Sequence, residues 1–299
     1  MARAQQRHTE AGKHADQRST RVLWGRVLTG GLLAVGIVVA PGCRTPAEET
    51  VAPVDIATRD TSEPAATPAI EEFVVRVVGK HPHATDAFTQ GLIWHEGAMY
   101  ESIGRYGQSA LRKVRLKDGK VLRERKLGPE VFGEGLARVG ERLIQLTWRS
   151  GLAFVSDLAT LDKRETLHYP GEGWGLCYDG TALVMSDGSS ILEFRDPESM
   201  ELLSEVSVLK NGHPVRSLNE LECVGSEIYA NIWQSDEILR IDRESGRVTA
   251  TIDASGLLTR FESIRADVLN GIAYKTDSKT FLLTGKLWPH VFEVELAPR

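Results

Sequence analysis

From residue 70 onward the chain alternates apolar and polar residues in short runs. ALRKVRL, GLAFVSD, SILEFRD, EILRIDRESG and HVFEVEL are examples, separated by Gly, Asp and Asn turns. A period of two bounded by turn residues predicts half-buried β-strands, and helical periodicity is scarce. FVVRVVGK, Phe73–Lys80, reads as the first strand.

The strands fall into a repeat. A start of the form x-Gly/Glu-Leu/Ile recurs at Gln90-Gly91-Leu92, Glu134-Gly135-Leu136, Trp174-Gly175-Leu176, Asn219-Glu220-Leu221 and Asn270-Gly271-Ile272, at spacings of 40 to 51 residues. Each start leads into a second strand ending at Glu101, Trp148, Asp187, Trp233 or Lys286, and then into a third and a fourth. Short strands repeating at this period predict an all-β, five-bladed β-propeller of four-stranded blades. The last unit is one strand short. Phe73–Lys80 can supply that strand and close the ring between the N- and C-terminal strands, which hides sheet edges. A two-sheet sandwich would not need five starts in phase.

In a propeller the first strands line a central channel. The repeated glycines Gly91, Gly135 and Gly175 then read as backbone packing near the axis. The residues before the starts differ in kind: Gln90, Glu134, Trp174, Asn219 and Asn270. A purely structural repeat would keep one residue type there, so five different groups around one axis point to a site.

The first 69 residues break the pattern. Residues 1–26 are rich in Arg and Lys, and Val27–Ala40 is an uncharged apolar run too short to span a bilayer. A basic region, a short apolar core and a small-residue exit at Ala40-Pro41-Gly42-Cys43 predict a signal peptide over 1–42. The glycine before Cys43 resembles a bacterial lipoprotein signal, in which the cysteine becomes the lipid attachment point. An ordinary cleaved signal or an uncleaved anchor is the plainer alternative. Residues 43–69, rich in Ala, Thr, Pro and Glu, read as a disordered tether. The expected location is therefore exported, in the cell envelope, held to a membrane by the lipid.

Composition narrows the chemistry. The net charge is −5, so no basic excess argues for a nucleic-acid partner. Three cysteines are too few for a disulfide framework. Cys177 and Cys223 lie near equivalent places in adjacent units, but their offsets from the repeat starts differ by one residue. A disulfide and two buried thiols both stay open. Histidines show no ligand spacing and no shared repeat position, which argues against zinc.

FTQGL (Phe88–Leu92), YESIGRYGQSALRKV (Tyr100–Val114), FGEGLA (Phe132–Ala137), LTW (Leu146–Trp148), GEGWGL (Gly171–Leu176), LNELE (Leu218–Glu222), NIWQSD (Asn231–Asp236) and TGKLWP (Thr284–Pro289) together resemble the plant and bacterial glutaminyl-peptide cyclotransferase family. The resemblance covers essentially all of 70–299. It implies a five-bladed propeller that needs no cofactor or metal, and peptides or proteins with N-terminal Gln as partners. The implied reaction cyclises that residue to pyroglutamate and releases ammonia.

By the same resemblance Glu134 is the catalytic proton relay and Lys286 polarises the amide oxygen. Gln90 and Asn219 hydrogen-bond the substrate, and Phe88, Phe132, Trp148, Trp174 and Trp233 form an aromatic lining. Such neighbours should desolvate Glu134 and raise its pKa. The plainer reading of Glu134 is a channel carboxylate bonded to backbone, and that of Lys286 a solvated strand end. Trp94 and Trp288 read as packing, and Glu101 and Asp187 as supporting or structural. Two other functions compete. One is a calcium-dependent lactonase-type hydrolase using Glu134, Asp187, Asn219 and Asn270. The other is a peptide-binding propeller without catalysis.

Overall fold

A computed structural model describes residues 69–299. The leader over 1–42, Cys43 and nearly all of the tether lie outside the described residues. After β1 (Glu71–Pro82), strands follow in fours. The first unit holds β2 (Thr89–His95), β3 (Ala98–Ile103), β4 (Ala110–Arg115) and β5 (Lys120–Lys126). The second holds β6 (Gly133–Val139), β7 (Arg142–Thr147), β8 (Leu152–Asp157) and β9 (Lys163–His168). The third holds β10 (Leu176–Tyr178), β11 (Leu183–Met185), β12 (Ile191–Arg195) and β13 (Leu202–Ser207). A small hairpin, β14 (Leu209–Lys210) and β15 (His213–Pro214), leads to β16 (Leu218–Val224), β17 (Glu227–Ile232), β18 (Glu237–Asp242) and β19 (Val248–Asp253). The chain ends with β20 (Leu269–Lys275), β21 (Thr280–Gly285) and β22 (His290–Pro298). The only helical element among the described residues is a 3-10 turn at Glu262–Ile264.

The first three groups are separate four-stranded antiparallel sheets. Their first strands touch in sequence, β2 on β6 and β6 on β10; β10 meets β16, β16 meets β20, and β20 returns to β2. An apolar cluster fills each space between neighbouring units. Leu143 and Leu111 pack between the first and second, Leu146 and Leu183 between the second and third, and Val184 and Leu239 between the third and fourth. The arrangement is propeller-like, with every sheet buried on the faces it presents to its neighbours. The outermost strands are the wet ones: β5, KVLRERK, is largely exposed, whereas β3, AMYESI, is buried throughout.

β1 closes the chain as expected, antiparallel to β22. It does more than the repeat predicts. Its first residues also pair in parallel with β19, from Glu71 opposite Ala250 to Val74 opposite Asp253. The fourth and fifth units thereby become one eight-stranded sheet.

The glycine reading holds. A Cβ on Gly91 would sit 2.5 Å from the Leu136 nitrogen, and one on Gly135 2.5 Å from the Leu176 nitrogen. In the fourth unit Glu220 takes the glycine position. Its buried carboxyl accepts the amides of Leu92 (3.1 Å) and Ile272 (2.7 Å), tying three units together near the axis.

Cys177 and Cys223 form a disulfide with Cα atoms 5.5 Å apart. The one-residue difference in offset, which weighed against a bond, is what permits it. Side chains alternate faces along a strand. Neighbouring units present opposite faces to one another, so equivalent positions point the same way around the ring. An odd offset is needed for two side chains to meet.

Candidate active site

The first strands carry a register shift at the repeat start: between Thr89 and Gly91, Gly133 and Leu136, Leu218 and Leu221, and Leu269 and Ile272. A β-bulge leaves a residue out of the ladder and re-aims its side chain. That is how Gln90, Glu134, Asn219 and Asn270 come to sit at the channel. The residues that close the second strands, Trp148, Trp233 and Lys286, reach the same end.

Gln90, Glu134, Asn219 and Lys286 line one cleft of about 470 Å³, together with Phe88, Phe132, Trp148, Trp174 and Trp233. All nine residues expected at the site are therefore brought together. Gln90 Nε2 donates to Glu134 Oε2 at 2.7 Å. The Gln90 oxygen in turn accepts from Asn270 Nδ2 at 3.2 Å, and the same Asn270 amide donates to the Thr89 carbonyl at 3.0 Å. This chain fixes which end of the Gln90 amide faces Glu134. Asn219 is buried, and its Oδ1 makes no hydrogen bond among the described residues.

Glu134 is only 4% exposed. Burial pushes its pKa well above the usual carboxylate range, against the opposing pull of Lys286 and of the Gln90 hydrogen bond. Burial also lowers the pKa of Lys286, while Glu134 and Asp267 act the other way. Lys286 follows β21, with its own amide bonded to the Val268 carbonyl (3.0 Å) and its carbonyl to the Asp267 amide (2.8 Å). Its ammonium lies 4.9 Å from the Phe88 ring centroid. Among the described residues, no carboxylate oxygen lies within the 4.0 Å of an ion pair with it.

The aromatic walls interlock, edge to face at Phe88–Phe132 and Trp174–Trp233 and tilted at Phe132–Trp148. Phe132 meets Phe88 at 6.1 Å and Trp148 at 5.8 Å; Trp174 meets Trp233 at 5.8 Å, centroid to centroid. Trp233, 43% exposed, forms part of the rim.

Two lining residues escaped the sequence reading: Arg149 and Glu172. Their only sequence signal is adjacency to lining tryptophans, Trp148-Arg149 and Glu172-Gly173-Trp174. Asn270 was a channel position without an assigned part.

The remaining candidates serve structure. Trp288 is buried, with Nε1 donating to the Asp267 carbonyl, and Trp94 packs on an apolar cluster. Buried Glu101 accepts from Thr89 Oγ1 (2.7 Å) and pairs with His83 Nε2 (2.9 Å). Asp187 turns back to accept the Ser189 amide. Of the four groups considered for calcium, Glu134 and Asn219 line this cleft, whereas Asp187 and Asn270 are not among its lining residues. Among the described residues, no three His, Cys, Asp or Glu side chains gather as a ligand set.

The fold and site define a class: an all-β, propeller-like protein whose axial cleft holds a buried carboxyl and a buried ammonium between aromatic walls. Residues 50–296 match the family model described as glutamine cyclotransferase. The chain is 43% identical over 227 residues to the glutaminyl-peptide cyclotransferase of Arabidopsis thaliana, covering 74% of this chain and 71% of that protein. The crystal structure of Myxococcus xanthus glutaminyl cyclase superposes with a TM-score of 0.71 at 43% identity, covering 77% of this chain and all of that one. The chain belongs to the glutamine cyclotransferase family.

Proposed function

We propose that this protein is a metal-independent glutaminyl-peptide cyclotransferase acting on peptides or proteins that begin with glutamine, built as a five-bladed propeller closed by β1. One observation carries the reading. Glu134, whose neutral form burial favours, and Lys286 line the same aromatic cleft without pairing to each other.

In this mechanism the free α-amine attacks the side-chain amide carbon of its own residue. One oxygen of the Glu134 carboxyl accepts the amine proton as its hydroxyl proton passes to the amide nitrogen. The carbon–nitrogen bond breaks, ammonia leaves, the lactam ring remains, and Glu134 ends protonated as it began. Lys286 faces the oxygen on which negative charge collects. Gln90 orients the Glu134 carboxyl, Asn219 Oδ1 offers an acceptor to the amine, and the aromatic walls keep water away.

Incubating the purified protein with Gln-led peptides in EDTA, with Asn-led and N-acetylated peptides as controls, tests the reading. Ammonia should be released from the Gln-led peptides alone. No release from any of them overturns the proposal, and release abolished by chelation overturns metal independence. We also propose export to the cell envelope with Cys43 as the lipid attachment point. The basic, apolar and small-residue succession before Cys43 supports this, and mass spectrometry of the mature N-terminus tests it.

A further inference from the structure

Glu172 sits between Gly171 and Gly173 in the segment joining β9 to β10. Its Oε2 accepts the indole N–H of Trp148 at 2.8 Å and that of Trp174 at 3.2 Å. Its Oε1 accepts Arg149 Nε at 2.7 Å, and the Arg149 guanidinium lies 3.9 Å over the Trp148 ring. One carboxylate thus holds two ring planes that belong to different units, and a cation caps the outer face of one of them. With three donors on its two oxygens, Glu172 is poorly placed to act as a base. The torsion that turns an indole about its own axis is broad and weakly restrained by itself, so a hydrogen bond at the indole nitrogen decides where the ring stands.

We infer that Glu172 is a positioning residue for the cyclisation: it sets Trp148 and Trp174 as one rigid wall against which the glutaminyl side chain folds for attack. The inference rests on the cyclotransferase reading above. Wall placement matters because an ångström of misplacement in the attacking geometry costs rate steeply. Glu172 has a second influence through its charge. The groups facing Glu134 are Gln90, Lys286 and Glu172, with Arg149 partly offsetting the last. The negative charge of Glu172 favours the neutral form of Glu134.

A double-mutant cycle tests the inference. Glu172→Gln removes the charge and the shared acceptor, and Trp148→Phe keeps a ring but removes its donor. Each single variant should lower kcat about tenfold with KM within about threefold, and the double variant should lose clearly less than the product of the two. The alkaline limb of kcat should move to lower pH in Glu172→Gln and stay in place in Trp148→Phe. Additive losses, a parental kcat in Glu172→Gln, or an unmoved limb in that variant would overturn the assignment. Near-UV circular dichroism follows the indoles without turnover: an unchanged tryptophan band in folded Glu172→Gln also overturns it. Should Glu172→Gln not fold, Glu172→Asp, which keeps the charge while shortening the reach, should show the kcat loss with the limb unmoved; a parental kcat there is equally fatal. A parent protein that releases no ammonia refutes the cyclotransferase reading instead, while the dichroism band still decides the clamp.

Discussion

Replacing Glu134 by Gln isolates proton relay from everything else that residue does. The amide has the shape of the carboxyl, keeps an oxygen to accept from Gln90 Nε2, now 2.7 Å from Glu134 Oε2, and stays in a site where the residue is 4% exposed. Burial favours the neutral form of Glu134, so a neutral amide there matches the form the site prefers beside Lys286. What goes is the capacity to take one proton while giving another. General acid–base catalysis contributes roughly 10²–10⁴-fold, which is about 3–5 kcal/mol of transition-state stabilisation. Continuous ammonia detection with a Gln-led dipeptide should therefore show kcat down by at least about a hundredfold, with KM and the thermal midpoint near those of the parent. Glu134→Asp draws the carboxyl back from the cleft and should fall between the two. A folded Glu134→Gln protein turning over within about threefold of the parent would refute the relay, because the general acid–base contribution is far larger than that.

Three further perturbations address other parts of the molecule. Lys286→Met should lower kcat roughly 10²–10³-fold, the scale of losing an oxyanion donor, and raise the pKa of Glu134 further by removing the cation that opposes burial; an unchanged rate at saturating peptide would reject that part. Removing the disulfide with Cys177→Ala/Cys223→Ala opens a crosslink spanning 46 residues; loop-closure entropy puts the loss at about 4 kcal/mol, or roughly 8–16 °C in the melting midpoint of a domain this size, and a drop of only a degree or two would contradict it. The Glu222 carboxyl is pushed up from 4.5 to about 8 by burial, against the hydrogen bond from the Tyr274 amide. Between those values the unfolded chain sheds a proton that the fold retains, so stability declines as pH rises through the window and levels off above it. Glu222→Gln should make urea midpoints at pH 5 and pH 8 more nearly equal, and an unaltered difference would refute the assignment.

The parts of this molecule that were legible in its sequence are those set by local rules repeated along the chain. Glycine is required where one strand runs against the backbone of the next, as at Gly91 and Gly135. The residue just before is thrown out of the ladder, so its chemistry is free to vary, and Gln90, Glu134 and Asn219 stand out for that reason. Glu172 and Arg149 follow no such rule. They sit in connecting segments, and their partner Trp148 belongs to a different unit from Trp174, so no spacing announces the contact. The parallel pairing of β1 with β19 was hidden likewise, since alternation in Phe73–Lys80 says that a strand exists but not that both its edges are used. The Cys177–Cys223 disulfide stayed open in the sequence because side-chain parity along one strand does not say which faces two adjoining sheets turn to each other.

The separation of Glu134 from Lys286 is itself an argument about what the cleft binds. Burial disfavours the charged form of each, and a direct ion pair would relieve both. The fold holds them apart instead: the Gln90 amide, set by Asn270, retains the Glu134 carboxyl on one side, and the backbone bonds of Lys286 to Val268 and Asp267 seat its ammonium over Phe88 on the other. A buried ammonium without a carboxylate within ion-pair distance is unfavourable unless a ligand supplies the missing acceptor. A side-chain amide lying between them would do so, giving its oxygen to Lys286 and presenting its nitrogen to the Glu134 carboxyl. Its own residue's amine would then reach the Asn219 oxygen, which has no hydrogen-bond partner among the described residues. An oxygen for Lys286, a nitrogen for the Glu134 carboxyl beside its Gln90 bond and an N–H donor for Asn219 Oδ1 are what one N-terminal glutaminyl residue offers at once.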